Sequence, residues 1–300
     1  MDGRTAERLP SKHPPHAGGI DTGFPMKTRL LSSTAVTGWA AAWLLAAFLA
    51  MPGCHRAVPA PQSVGVTTAH AESWRGGDDY AKVTYPVVVG GVDAARLNPV
   101  IQRWIGARCP IPAENAPQPS SAAACVAAFS TACATLKHKY EDAGAQPFGC
   151  TLDANTEIKL DAAGLLGVAY TTYSYTGGAH GSTVVSYLNL DLASGRVLTL
   201  KDFLNAPDAA RLSSALESAV RANRHIPADQ SLKQAGFFVD RLPVPDTVLA
   251  LPRGLLFTYQ SYDVAPYVLG QPHGLVPYSA LNGMIRAEGV LLRLRTLEKP

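Results

Sequence analysis

The sequence predicts an α+β fold, with a largely antiparallel sheet packed against a few helices. Two observations point there. Strand-like and helix-like segments arrive in mixed order without regular βαβ alternation. The stretch from Tyr170 to Leu204 reads as strand, glycine loop, strand, turn and strand. Tyr, Thr and Ser dominate before the loop, a composition suited to a pleated, half-buried surface. Gly177, Gly178 and Gly181 permit backbone conformations closed to other residues. After the loop, Val184, Ser186, Leu188, Leu190 and Leu192 share one side of a period-two pattern. Ser194 and Gly195 make the next reversal.

The other elements follow in order. Tyr80–Val89 alternates around Val83, Tyr85 and Val87 and reads as the first strand. Helical spacing follows from Asp93 or Ala94 through Leu97, Val100, Ile101, Trp104 and Ile105, with Pro99 in the first turns. Ala122–His138 is a second, Ala-rich helix. Residues 151–160 and 164–175 form a hairpin reversing at 161–164. Pro207 near N1 and Asp208 in the first turn open a helix with Leu212, Leu216, Ala219 and Val220 inward, closing at His225. Short strands are expected at Phe237–Val239, Thr247–Leu251 and Gly254–Gln260. A short terminal helix is expected around Leu281 and Met284.

Four cysteines, Cys109, Cys125, Cys133 and Cys150, staple the insert around the second helix. Cys125 and Cys133 on one straight helix stand about 12 Å apart, beyond the roughly 7 Å a disulfide spans. They should not pair with each other, so Cys109 and Cys150 each take one. A metal site would need close CxxC pairs, and none occurs. No cofactor or metal is expected.

The N-terminus carries the address. Residues 1–25 are polar, without periodicity, and read as an upstream misassigned start or a disordered tail. Residues 26–53 read as a secretory signal, with Lys27 and Arg29 before an apolar run from Ala35 to Met51. Gly53-Cys54 resembles a bacterial lipoprotein cleavage site, with Cys54 lipidated; an uncleaved anchor helix is the alternative. Residues 54–77, rich in Pro, Gly, Ala and Ser, read as a flexible tether. The folded part is then expected on the periplasmic side of a membrane in the cell envelope, the outer membrane in a Gram-negative cell. Without residues 1–53 the chain carries 21 Lys/Arg against 20 Asp/Glu, a balance that points to no nucleic acid and steers no charged partner.

Residues 173–181, 189–195 and 200–204, with Gly254–Gly270 and 276–279, resemble the RsiV/PdaC-type extracytoplasmic module over roughly residues 80–285. The resemblance implies an α+β envelope module of two small subdomains, set here at 78–195 with the four-Cys insert and at 196–300. One family member binds lysozyme through this region. An anti-sigma role needs a cytoplasmic segment before the membrane helix, and at most 34 residues precede the apolar run. A deacetylase needs a separate catalytic domain. Neither activity carries over.

Chemistry-bearing residues are sparse. There is no HExxH, no nucleophile elbow and no phosphate loop. His180 sits in the glycine loop beside Tyr173 and Tyr175; Tyr262, Asp263 and Tyr267 form a second polar-aromatic group. These residues, with Gly177 and Gly178, are the candidate binding site, on the reasoning that loops carry function on a rigid scaffold. The plain reading of the same residues is turn geometry and cross-strand packing. The expected function is a non-catalytic envelope lipoprotein that binds peptidoglycan or a lysozyme-like muramidase. The alternative is an envelope hydrolase with His180 as general base and Asp263 or Asp240 as its acidic partner. A closed cleft around His180 would favour the hydrolase, and an open face the binder.

Overall fold

A computed structural model describes residues 63–90, 94–111, 116–144, 146–205 and 208–297. The signal segment and residues 54–62 of the expected tether, Cys54 among them, lie outside the described residues.

The first sheet has five strands: β1 (Val66–Gly76), β2 (Asp79–Val88), β3 (Thr151–Ala162), β4 (Leu165–Tyr175) and β5 (Ser182–Asp191), in that spatial order. Three of its pairings are antiparallel and β2–β3 is parallel, from Tyr80↔Thr151 to Val83↔Ala154. The parallel pair exists because the chain leaves β2, runs through two helices and returns beside it. The α+β class holds, with a mixed first sheet.

β1 corrects the reading of 54–77 as tether throughout. Residues 66–76 pair with β2 from Val66↔Val88 to Gly76↔Asp79. The strand was hidden because it carries few large apolar residues. Its stability comes from the ladder on β2 and from the half-buried Trp74 against the core.

Helices α1 (Ala94–Gly106) and α2 (Ala122–Asp142) cover one face of this sheet. Leu97, Ile101, Trp104 and Ile105 bury one stripe of α1. Pro99 lies in the second turn and cannot donate to the Ala95 carbonyl, but both residues are exposed, so that carbonyl is not sealed away from solvent. Asn98 fastens α1 to the end of β2: its side chain accepts from the Val88 N–H at 2.9 Å and donates to the Val88 carbonyl at 3.1 Å. Ser121 caps α2 by accepting from the Ala124 N–H. The bridges are Cys109–Cys125 and Cys133–Cys150, with Cα separations of 5.5 and 6.3 Å. As expected, the two helical cysteines pair outward, which ties α2 to the end of α1 and to the start of β3.

After α3 (Leu200–Phe203), α4 (Ala209–Arg224) packs on a three-stranded antiparallel sheet of β6 (Val248–Leu251), β7 (Gly254–Thr258) and β8 (His273–Pro277). Asp208 is the N-cap of α4, accepting from the Ala210 and Arg211 N–H groups, and stands one step outside the first turn expected for it. Pro207 lies outside the described residues. Leu212, Leu216 and Val220 face the core, and His225 closes the helix in the left-handed conformation. Three expectations fail in this half of the chain. The strand expected after the Ser194-Gly195 turn is reduced to an isolated bridge between Val197 and Leu190, and the residues after it turn into α3. Phe237–Val239 is no strand: the Phe238 N–H reaches Val264 O, but no ladder forms. Leu281 and Met284 lie in successive i→i+3 turns, which satisfy a three-residue apolar spacing as well as a helix does. The terminal helix is α5 (Val290–Thr296). Among the described residues, no helix is long and apolar enough to cross a membrane.

Two cores share β4. Leu166, Val168 and Tyr170 face α1 and α2, while Leu165, with Leu160 and Ala163, joins the core of the second sheet. Burial pushes the Tyr170 hydroxyl up to about 12 from its ordinary 10.0, with the nearby Arg108 charge acting the other way. The folded chain therefore holds this proton after the unfolded chain has released it. The contribution is whole below about pH 10 and falls by up to about 3 kcal/mol as the pH climbs to about 12. Urea melts of Tyr170→Phe should show a shallower alkaline loss than wild type. Equal slopes would remove Tyr170 as its source.

Candidate functional site

The glycine loop joins β4 to β5 at the end of the first sheet. Gly177 and Gly178 hold φ of +92° and +93°, a region costly to any side chain, and the Tyr175 hydroxyl donates to Gly178 O at 3.0 Å. At Gly181 the requirement is space: a Cβ there would collide with the ring and hydroxyl of Tyr173. Tyr173 thus folds across the base of the loop. His180 is exposed, with Nδ1 2.9 Å from Gly181 O. A carbonyl only accepts, so Nδ1 is the donor in this contact.

The second group lies in the segment between β7 and β8, which amide side chains sew to the edge of β5. Gln260 Oε1 accepts from the Val185 N–H at 3.0 Å and Nε2 donates to Val185 O at 2.8 Å, as a neighbouring strand would. Gln271 Nε2 donates to Thr183 O at 3.1 Å and to Gln260 Oε1 at 2.9 Å. Nearby, Asn189 bridges β5 to β6, donating to Val248 O and accepting from the Ala250 N–H, each at 2.8 Å. Burial raises the Tyr187 hydroxyl, and its bond to Thr258 pulls it back.

Asp263 closes a tight turn, accepting from the Gln260 N–H at 2.8 Å while its own N–H donates to Gln260 O at 3.2 Å. The turn holds Tyr262 at φ +72°, uncommon for a bulky residue, with its N–H on Ala265 O. A 3-10 turn over Tyr267–Leu269 follows.

The two groups of the candidate site meet through Tyr267, a contact that the sequence did not indicate. The Tyr267 ring stacks on His180 at 4.7 Å and 25°, and on Tyr262 at 6.3 Å and 28°. Tyr262 is 56% exposed and Tyr267 39%. Tyr173 adjoins this ladder through Gly181. Gly177, Gly178, Tyr175 and Asp263 shape the backbone. Asp240 pairs with Lys233 at 2.6 Å, and the Asp263 carboxylate holds its own turn, so each proposed acidic partner of His180 has another engagement. A cavity of about 390 Å3, lined by Ala209, Ser213, Leu242 and Val244 among others, lies beside α4, is almost wholly apolar, and includes none of the candidate residues. Asp79, Cys133 and Cys150 come close enough to hold a metal ion, but both sulfurs are bound in the disulfide. The Asp79 carboxylate instead accepts from the Cys150 N–H and from Lys137.

Sequence reasoning assigned no role to Gln260, Gln271 or Asn189. The available signal was an amide inside or beside an otherwise apolar strand. The motif at 200–204 also finds its cause: Asp202 accepts from the N–H and hydroxyl of Thr199 and from Arg196. Burial works to raise this carboxyl, yet those bonds and the Arg196 charge hold it below its ordinary value.

Residues 201–279 match a family model described as a protein of unknown function, DUF3298. No curated protein matches the chain. Among solved structures, a DUF3298 family member from Bacteroides fragilis NCTC 9343 is similar at 18% identity, with a TM-score of 0.62, over 78% of this chain and 99% of that one. A DUF3298 family protein from Pseudomonas aeruginosa PAO1 is similar at 20% identity, with a TM-score of 0.54, over 77% of this chain and 96% of that one. At these identities the likeness concerns fold. The matched segment contains Gln260, Tyr262, Asp263, Tyr267 and Gln271, the half of the site that is sewn onto β5, and His180 lies before it. The chain carries a DUF3298 domain at residues 201–279.

Proposed function

We propose that this chain is a non-catalytic cell-envelope lipoprotein, anchored through Cys54, that binds peptidoglycan or a lysozyme-like muramidase. The observation that carries the binding reading is the exposed ladder of His180, Tyr267 and Tyr262. Its rings come from two distant segments and stand on backbone held by Gln260, Gln271 and Asp263. Aromatic rings on a rigid support give large contact area at low entropic cost. An open face with acidic groups engaged elsewhere suits binding better than general-base catalysis. The RsiV-type resemblance and the lipoprotein-like signal support the envelope address. The near-neutral chain expected after cleavage gives no electrostatic advantage to a basic muramidase, so peptidoglycan is the ligand to test first.

The test is sedimentation with purified sacculi, alongside calorimetry with lysozyme. Tyr267→Ala should weaken binding at least tenfold, about 1.4 kcal/mol, with an unchanged melting temperature. Wild-type protein that binds neither partner would overturn the reading.

A further inference from the structure

We propose that the ligand is a glycan chain, running from the aromatic ladder across Tyr173 onto the open face of the first sheet; this rests on the binding reading above. The registers supply the second half of the footprint. Tyr173 stands opposite Asp153, and Asp153 opposite Lys82, one row across β4, β3 and β2. In the next row Thr171 stands opposite Asn155, and the Thr84 hydroxyl reaches Asn155 at 3.4 Å. On the other face of the same strands Ala81, Val83, Leu152 and Ala154 are buried under the helices. Each row therefore faces away from the core, and α1 and α2 leave it uncovered.

Strands lie about 4.8 Å apart, so each row spans about 10 Å, the reach of a disaccharide. The side chains are a hydroxyl pair, an amide, a carboxylate, an ammonium and a phenol, the donors and acceptors that sugar hydroxyl and acetamido groups use. Charge on this face balances, with Lys82 and Lys159 against Asp153 and Glu157. Asn155 donates to Asp153 at 2.9 Å, and Lys159 pairs with Glu157 further along β3. A polyanion would find no basic track here, and a hydrophobic protein surface no apolar core. A neutral polyhydroxylated chain matches both halves: the C–H face of a sugar against the exposed ring of Tyr262, and its polar rim against the rows. Tyr173 links the two, because it heads one row and packs over Gly181 beside His180.

The test uses the full chain and calorimetric titration with N-acetylglucosamine dimers and hexamers, with lysozyme and sacculi in parallel. The hexamer should bind at least tenfold tighter than the dimer. Tyr262→Ala should weaken both oligomers. The paired change Asp153→Ala with Asn155→Ala should weaken the hexamer about fivefold and leave the dimer alone. Tyr262 and Asn155 are exposed and Asp153 is half-buried, and circular dichroism would verify that the variants fold. Binding to lysozyme without binding to the oligomers would overturn the glycan assignment and leave the binding reading standing. No binding to oligomers, sacculi or lysozyme would end both. Oligomer binding insensitive to both variants would overturn the footprint.

Discussion

Asn189→Ala is expected to lower the unfolding free energy by about 3 kcal/mol, because it leaves two buried backbone groups without partners at once. Asn189 is 1% exposed, and its amide spans the seam between β5 and β6. β6 pairs with β7 on its other side, and Leu249 is flanked by Val248 and Ala250, whose carbonyl and N–H turn toward Asn189. The seam is too deeply buried for solvent to replace the lost bonds. Asn189→Leu separates bonding from volume: it restores apolar bulk but cannot bond, and should cost nearly as much as Ala. Urea unfolding with an unchanged slope gives the number. A loss below about 1 kcal/mol, the worth of one ordinary hydrogen bond, would show that the seam does not depend on this amide.

Reducing both disulfides should cost about 6 kcal/mol, comparable to the whole stability of many domains. The bridges span sequence separations of 16 and 17 and close loops that do not overlap. Loops of this size contribute about 3 kcal/mol each, and separate loops add. The loss should fall unevenly. Every bonded cysteine belongs to the core under α1 and α2, and none belongs to the core around α4 and β6–β8. Reductant should therefore loosen α2 first. The double variant Cys133→Ala with Cys150→Ala should lose about 3 kcal/mol, retaining the bridge that ties α2 to α1. Near-ultraviolet circular dichroism through a urea titration reads both. An unchanged midpoint after reduction would mean that packing alone holds α2.

The candidate site was legible in its parts and not in its assembly. His180, Tyr262 and Tyr267 stood out because Tyr and His in loops are typical contact residues on a rigid scaffold. Their stacking did not, since 87 residues separate His180 from Tyr267 and no local pattern encodes that meeting. Gln260 was equally silent. A glutamine after a strand reads as a polar end, and only the position of β5 turns it into a substitute strand. Phe237–Val239 failed in the opposite sense, with local β propensity but no neighbour offering a ladder.

The sequence by itself determined the α+β class, the β3–β4–β5 meander, the α2 helix and the exclusion of a Cys125–Cys133 bridge. Each rests on a signal confined to a few consecutive residues: alternation, glycine turns, or a rise of about 1.5 Å per residue. Only the tertiary structure decided the parallel β2–β3 pairing, the strand made from residues 66–76, the pairing of Cys109 with Cys125, and the ladder of rings. Those depend on which surfaces meet after the chain has turned, and that is set by the combined burial of distant side chains, not by the preferences of any one segment.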